Sequence, residues 1–136
     1  MITAVDSNVL LDVFGGRPHF LAGAQEALRA SVTVGRLTAC DVVWAEVAAF
    51  FPAPEAAQAA MDLLGVEYDP LTPAAALAAG APWQDYRRRG GHRTRVVPDF
   101  LIGAHAAQQA DRLLTRDRGF YRSYFRHLTI LDPAHR

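Results

Sequence analysis

Short apolar runs alternate with helix-forming stretches from one end of the chain to the other, and this alternation limits the fold more than any other feature. Ile2–Val5 reads as a first strand, stopped by Asp6-Ser7-Asn8, three residues suited to capping a helix over Val9–Phe14. After the Gly15-Gly16 break, Pro18 opens a helix over His19–Ala30, with Phe20, Leu21, Ala24 and Leu28 at helical spacing. Leu37–Cys40 reads as a strand. Asp41 then caps a helix to Phe51 that Pro52 and Pro54 stop. A helix over Glu55–Leu64 ends at Gly65, and Val66–Tyr68 is a short strand. Thr72-Pro73 starts an alanine-rich helix towards Arg89, with a kink or second start near Gly80 because of Pro82. Beyond Gly90-Gly91 and a loop over Arg93–Val97, Pro98 begins a helix to about Ala110. Arg112–Thr115 is a buried strand, Gly119–Phe125 a helical turn and Leu128–Leu131 a last strand. Strands joined through helices form a mainly parallel sheet covered on both faces, an α/β domain of three layers.

At 136 residues, residues 1–136 make one domain, since two independent cores would not fit. The apolar fraction of 51% is enough for a core. Cys40 is the single cysteine, which excludes an internal disulfide and a cysteine-based zinc cluster and fits a reducing compartment. No apolar run approaches the ~18 residues of a membrane span, and Met1–Val5 lacks the charged start and long apolar segment of a secretory signal. A soluble cytoplasmic protein without membrane partners is expected. All 14 basic residues are arginine. The absence of lysine excludes a P-loop nucleotide site and Schiff-base catalysis. Net charge is zero, yet residues 1–68 carry three arginines against eight acids, and residues 69–136 eleven against six. A basic surface beside an acidic one is expected, and nucleic acid is a natural partner for the first.

Sites in such sheets gather beyond the carboxyl ends of the strands. Asp6 directly follows the first strand, and Asp117 lies two residues past Thr115. Either can equally be a turn or cap residue. Glu46 sits beside an apolar stripe of Val43, Val47 and Phe50, where a carboxylate is costly unless paired; a stripe-margin residue and a ligand are both open readings. Asp99 follows Pro98 in a first helical turn, where the helix dipole alone accounts for an acid, but its face continues through Ile102, Gly103 and Ala106 towards the core. Four carboxylates brought together without a cation would repel and raise their own pKa values. A hard divalent ion, Mg²⁺ or Mn²⁺, resolves this, and one or two such ions can activate water for phosphodiester hydrolysis.

The arginines bracket two of these acids. Arg87, Arg88, Arg89, Arg93 and Arg95 precede Asp99, while Arg116 and Arg118 flank Asp117. Together they are candidate RNA contacts, although each alone is an ordinary surface charge. Phe120, Tyr121, Tyr124 and Phe125 can stack bases or simply cover the sheet edge. His105 reads as a packed core histidine, His92 as a loop residue and Cys40 as buried. Ser7 has no histidine–acid pair at motif spacing, which argues against a serine hydrolase.

The stretches from Ala4 to Asp12, Val42 to Val47, Val97 to Ala106 and Leu113 to Phe120 closely resemble the PIN-domain ribonucleases, and in particular the VapC toxins of type II toxin–antitoxin pairs. The resemblance runs the whole length. It implies a PIN-like α/β/α fold and a Mg²⁺- or Mn²⁺-dependent endoribonuclease that cuts single-stranded segments of structured RNA to leave 5′-phosphate and 3′-hydroxyl ends. It further implies a homodimer held inactive by a small antitoxin. Position by position, Asp6, Glu46, Asp99 and Asp117 match the family's acidic quartet of metal-binding catalytic residues. Asn8 and Thr115 match polar positions that orient the acids. Two other readings stand beside this one: a PIN-fold nuclease in RNA processing or DNA cleavage without an antitoxin, and a catalytically idle binding module.

Overall fold

The computed structural model describes residues 1–91 and 97–134. The element order is β1 (Ile2–Val5), α1 (Ser7–Phe14), α2 (Leu21–Val34), β2 (Arg36–Ala39), α3 (Asp41–Phe50), α4 (Pro54–Leu64), β3 (Val66–Tyr68), α5 (Pro73–Ala78), α6 (Gly80–Arg88), α7 (Val97–Gln109), β4 (Arg112–Leu114), α8 (Arg118–Tyr124) and β5 (Ile130–Leu131). The strands form one sheet in the order β3-β2-β1-β4-β5. Every pairing is parallel. This is the three-layer α/β/α arrangement that the alternation demands, because each parallel neighbour requires a crossover helix.

Strand residues Ala4, Val5, Leu37, Ala39, Leu113 and Leu114 are all buried. Burial on both faces explains why these strands read as continuous apolar runs rather than alternating ones. A second apolar cluster forms around Phe100, Ala79 and Ala104, with Trp83, Tyr86, Phe120 and Tyr124 packed against it. None of the described helices is long and apolar enough to cross a membrane.

The strand order puts a switch point in the middle of the sheet. From β1 the chain builds outward through β2 and β3, then crosses back to β4 on the other side of β1. Connections leaving β1 and β4 therefore diverge, and a crevice opens beyond their carboxyl ends. Val5 pairs with Leu114, and the Asp6 N–H donates to the Leu114 carbonyl at 2.9 Å. Asp6 and Thr115 are thus neighbours at the mouth of that crevice.

Several element bounds differ from the sequence-based expectation: α1 begins at Ser7 rather than Val9, α2 at Leu21 rather than His19, and three further differences stand out. α2 runs on to Val34, where Ala30 was the expected end. Buried Ser31 returns its hydroxyl proton to the Ala27 carbonyl at 2.8 Å and so causes no break. The helix stops at Gly35, where a Cβ would run into the Met1 carbonyl. α3 begins at Asp41 itself rather than after it, with Cys40 at the N-cap position, and the Asp41 carboxylate accepts the Leu71 N–H from the loop after β3 at 3.4 Å. β5 is confined to Ile130–Leu131. The alanine-rich stretch does divide at Ala79, and Thr72 caps its first half by accepting the Ala75 N–H at 3.1 Å. The expected Arg93–Val97 loop lies largely outside the described residues.

Candidate active site

Asp6 occupies the N-cap position of α1, yet its side chain makes no cap bond. Its carboxylate is instead turned towards β4 and α8. Oδ2 accepts the Thr115 hydroxyl at 2.9 Å, the Tyr121 phenol at 3.0 Å and the Asn8 amide at 3.3 Å. Oδ1 meets only the Ser7 hydroxyl among the described side chains, at 3.5 Å. The Ser7 hydroxyl is closer to Glu46 Oε1, at 3.0 Å, and so links the end of β1 to α3.

Asp117 caps α8 by accepting the Phe120 N–H at 3.4 Å, and its own N–H donates to Thr115 Oγ1 at 3.0 Å. Thr115 is therefore a relay: it accepts from Asp117 and Asn8, and its one proton goes to Asp6. The Asn8 carbonyl oxygen accepts the Arg116 N–H at 3.3 Å and closes the loop onto α1. Asp99 lies in the first turn of α7, directly before buried Phe100. Close packing of α7 holds it there. Ile102 and Ala106 are buried, and a Cβ on Gly103 would stand 2.5 Å from the Phe125 ring.

The four acids sense one another. Burial pushes the Asp99 carboxyl up to about 7, with Asp6, Asp117 and Glu46 adding repulsion. Desolvation also raises Glu46, opposed by its bond from Ser7 and reinforced by Asp6. Asp6 is raised by burial against the pull of Thr115 and Tyr121, with a smaller push from Asp117. No basic side chain is among the groups that set these shifts in the described residues. Nor do any three His, Cys, Asp or Glu side chains among them stand close enough together to enclose an ion as they are. The donor set, oxygen throughout with no thiolate or imidazole, fits a hard divalent ion.

The arginines are distributed differently from the acids. Arg87 and Arg88 end α6 and Arg89 follows as its C-cap, all three exposed. The Arg87 guanidinium lies over Trp83 at 5.3 Å, and Arg89 lies over Tyr124 at 5.0 Å while pairing with Asp85. Arg116 holds fully buried Asp12 through two bonds of 2.6 and 3.1 Å and covers the Phe20 ring at 4.0 Å. Arg118 pairs with Asp132 at 2.9 Å. Arg93 and Arg95 lie outside the described residues.

Sequence reasoning passed over three residues of this site. Ser7 bridges Asp6 and Glu46, Asp12 anchors Arg116, and Tyr121 donates to Asp6 from full burial. A signal for Tyr121 was present: it follows Asp117 by one helical turn, so a cap at Asp117 directs both towards the same end of the sheet. His105 is buried with Nε2 2.9 Å from Asp69 Oδ2, and Cys40 is buried with its thiol pushed up to about 11.

Residues 3–126 match the family described as PIN domain. No curated protein matches the chain in sequence. Among solved structures, the chain is similar to one from the VapBC2 complex of Rickettsia felis bound to a DNA fragment from their promoter. There the TM-score is 0.75 at 17% identity, over 97% of this chain and 98% of the other. Similarity to VapBC-1 from nontypeable Haemophilus influenzae gives 0.74 at 20% identity, over 98% and 99%. A toxin–antitoxin complex from Klebsiella pneumoniae gives 0.67 at 22%, over 96% and 97%. At these identities the likeness is one of fold.

Proposed function

The chain belongs to the PIN domain family, and from that premise we propose that it is a Mg²⁺- or Mn²⁺-dependent endoribonuclease, the toxin of a toxin–antitoxin pair, cutting single-stranded regions of structured RNA. The observation that supports this reading is the mutual repulsion of Asp6, Glu46, Asp99 and Asp117, drawn from four separate segments, beside the β1–β4 crevice. A fold retained only to hold a partner gains nothing from carboxylates that repel one another. The solved structures with this fold named above are toxin–antitoxin complexes, which supports a small antitoxin as partner. A homodimer in the cytoplasm completes the proposal.

Asp6, Asp99, Asp117 and Glu46 are the residues that would hold the cation. When bound, such an ion lowers the pKa of water and neutralises charge on a phosphodiester. The chain's own contribution is orientation. Thr115, Asn8 and Tyr121 hold Asp6 through one oxygen, and Ser7 keeps Glu46 beside it. The Asp99 carboxyl, at about 7, carries a proton in part of the population at neutral pH and releases it when positive charge arrives. Arg87, Arg88 and Arg89, exposed at the end of α6, supply positive charge for the RNA backbone.

The test is cleavage of structured RNA with Mn²⁺ by the intact chain and by Asp6→Asn and Asp99→Asn. Both variants should lose at least 100-fold in rate, a loss of about 3 kcal/mol of transition-state stabilisation, while remaining folded. Cleavage at the parental rate by a folded variant refutes the nuclease.

A further inference from the structure

The bonds around Asp6 are unevenly shared between its two oxygens. Three side-chain donors converge on Oδ2 at 2.9, 3.0 and 3.3 Å, whereas among the described side chains Oδ1 receives only the 3.5 Å contact of Ser7, whose backbone N–H also bonds the carboxylate. An ionised carboxyl oxygen has about two lone-pair sites, so Oδ2 is saturated by side chains and Oδ1 is the less engaged oxygen. Ser7, which touches Oδ1, also bonds Glu46, so the less engaged oxygen lies on the side of Glu46. We propose that Tyr121 is a positioning residue that ties Asp6 down through Oδ2 and thereby presents Oδ1 as the single oxygen Asp6 offers to a divalent cation.

Tyr121 is built for that task. It is fully buried, the largest of the fully buried side chains, and lies edge-on to Phe120 at 5.2 Å with Phe125 at 6.2 Å. Two aromatic neighbours fix the ring, so the hydroxyl arrives in one position rather than several. Burial and the nearby carboxylates keep the phenol protonated, hence always a donor. Thr115 and Asn8 also donate to Oδ2, but both are engaged with the loop that follows β4. Tyr121 alone reaches Oδ2 from α8, the helix that Asp117 caps. One short helix thus carries an acid at its start and the restraint on a second acid a turn later. A purely structural reading makes Asp6 only a convenient partner for a buried hydroxyl, and it predicts loss of stability without change in cation binding.

The inference rests on the reading of this crevice as a cation site, so the experiment separates the two. Mn²⁺ alone, without RNA, is titrated calorimetrically into the intact chain, Tyr121→Phe and Tyr124→Phe. Tyr121→Phe deletes one oxygen and keeps the ring, and should weaken Mn²⁺ binding roughly 10-fold, the usual scale for a group that orients a metal ligand. Tyr124→Phe, on the same helix with its ring against Tyr86 and Phe100, should bind as the parent does. If Tyr121→Phe melts earlier but binds Mn²⁺ with parental affinity, the positioning role is overturned while the cation site stands. If the parent itself takes up no Mn²⁺ at millimolar concentration, the nuclease reading fails and this inference with it. Should Tyr121→Phe not fold, Tyr121→Met, which fills the slot flexibly and also lacks the hydroxyl, is titrated against the same two outcomes.

Discussion

Asp99 shows what a single carboxyl at this site does to the molecule. Its ordinary value is 3.8, and in the folded chain burial first, then Asp6, Asp117 and Glu46, lift it to about 7. Between those values the folded state binds a proton that the unfolded state has released. The stability this proton confers is complete below the ordinary value and is lost as pH rises through the folded one. Asp6 and Glu46 are shifted in the same direction and add to the trend. Without divalent ions, the melting temperature should therefore fall from pH 5 to pH 8. Asp99→Asn should flatten that slope and, at pH 8, stabilise the chain by about 1 kcal/mol, the screening of a half-exposed group by water being allowed for. Scanning calorimetry at the two pH values measures both. A cation takes the proton's place, so added Mn²⁺ should raise the melting temperature more at pH 8 than at pH 6. Equal shifts would mean that no site proton is displaced. Asp6 and Asp117 were legible as candidates in the sequence because each closely follows a strand. The bond from Tyr121 to Asp6 was not, since its spacing from Asp117 suggests only a shared end of the sheet, a tyrosine in an aromatic run looks like cover, and its partner is 115 positions away.

The loop from β4 into α8 carries Thr115, Asp117 and, one turn on, Tyr121, so its anchorage matters as much as any acid. Arg116 supplies that anchorage by reaching back to Asp12 on α1, whose carboxylate is fully buried. Arg17 also pairs with Asp12, at 3.2 Å, but is half-exposed and approaches one oxygen only. Removing one partner of a buried ion pair leaves an uncompensated charge. Arg116→Ala should therefore destabilise the chain by about 3 kcal/mol, read as a lower urea midpoint, whereas Arg88→Ala at the exposed end of α6 should stay within about 0.5 kcal/mol of the parent. A small effect at Arg116 would show that Arg17 alone satisfies Asp12. Adjacency to Asp117 made Arg116 and Arg118 candidate RNA contacts in the sequence. What adjacency cannot show is where a long side chain goes. Asp12 lies 104 positions from Arg116, and only the pairing of β1 with β4 brings them together.

The alternation of strand and helix made the parallel three-layer architecture readable, but not the order of strands. That order rests on packing between distant segments, and it alone turns the ends of β1 and β4 into a crevice rather than two unrelated edges. Charge asymmetry follows the same division. The amino-terminal half, net acidic, supplies Asp6 and Glu46, and the carboxyl-terminal half supplies most of the arginines. In the folded chain Arg116 and Arg118 are less exposed and held in ion pairs, and among the described residues Arg87, Arg88 and Arg89, the last also paired with Asp85, form the exposed basic cluster nearest in sequence to Asp99. Two of them lie over aromatic rings that pack around Phe100, the residue after Asp99. RNA bound there, as proposed, would be held by its phosphates, and such binding weakens with salt in proportion to the contacts made. In an Asp6→Asn background that prevents cleavage, changing all three arginines to alanine should weaken binding of a single-stranded RNA. The slope of log affinity against log salt should become shallower by about 2, at roughly 0.7 per lost phosphate contact. An unchanged slope would move the RNA path away from α6, because a phosphate contact cannot be lost without releasing fewer counterions.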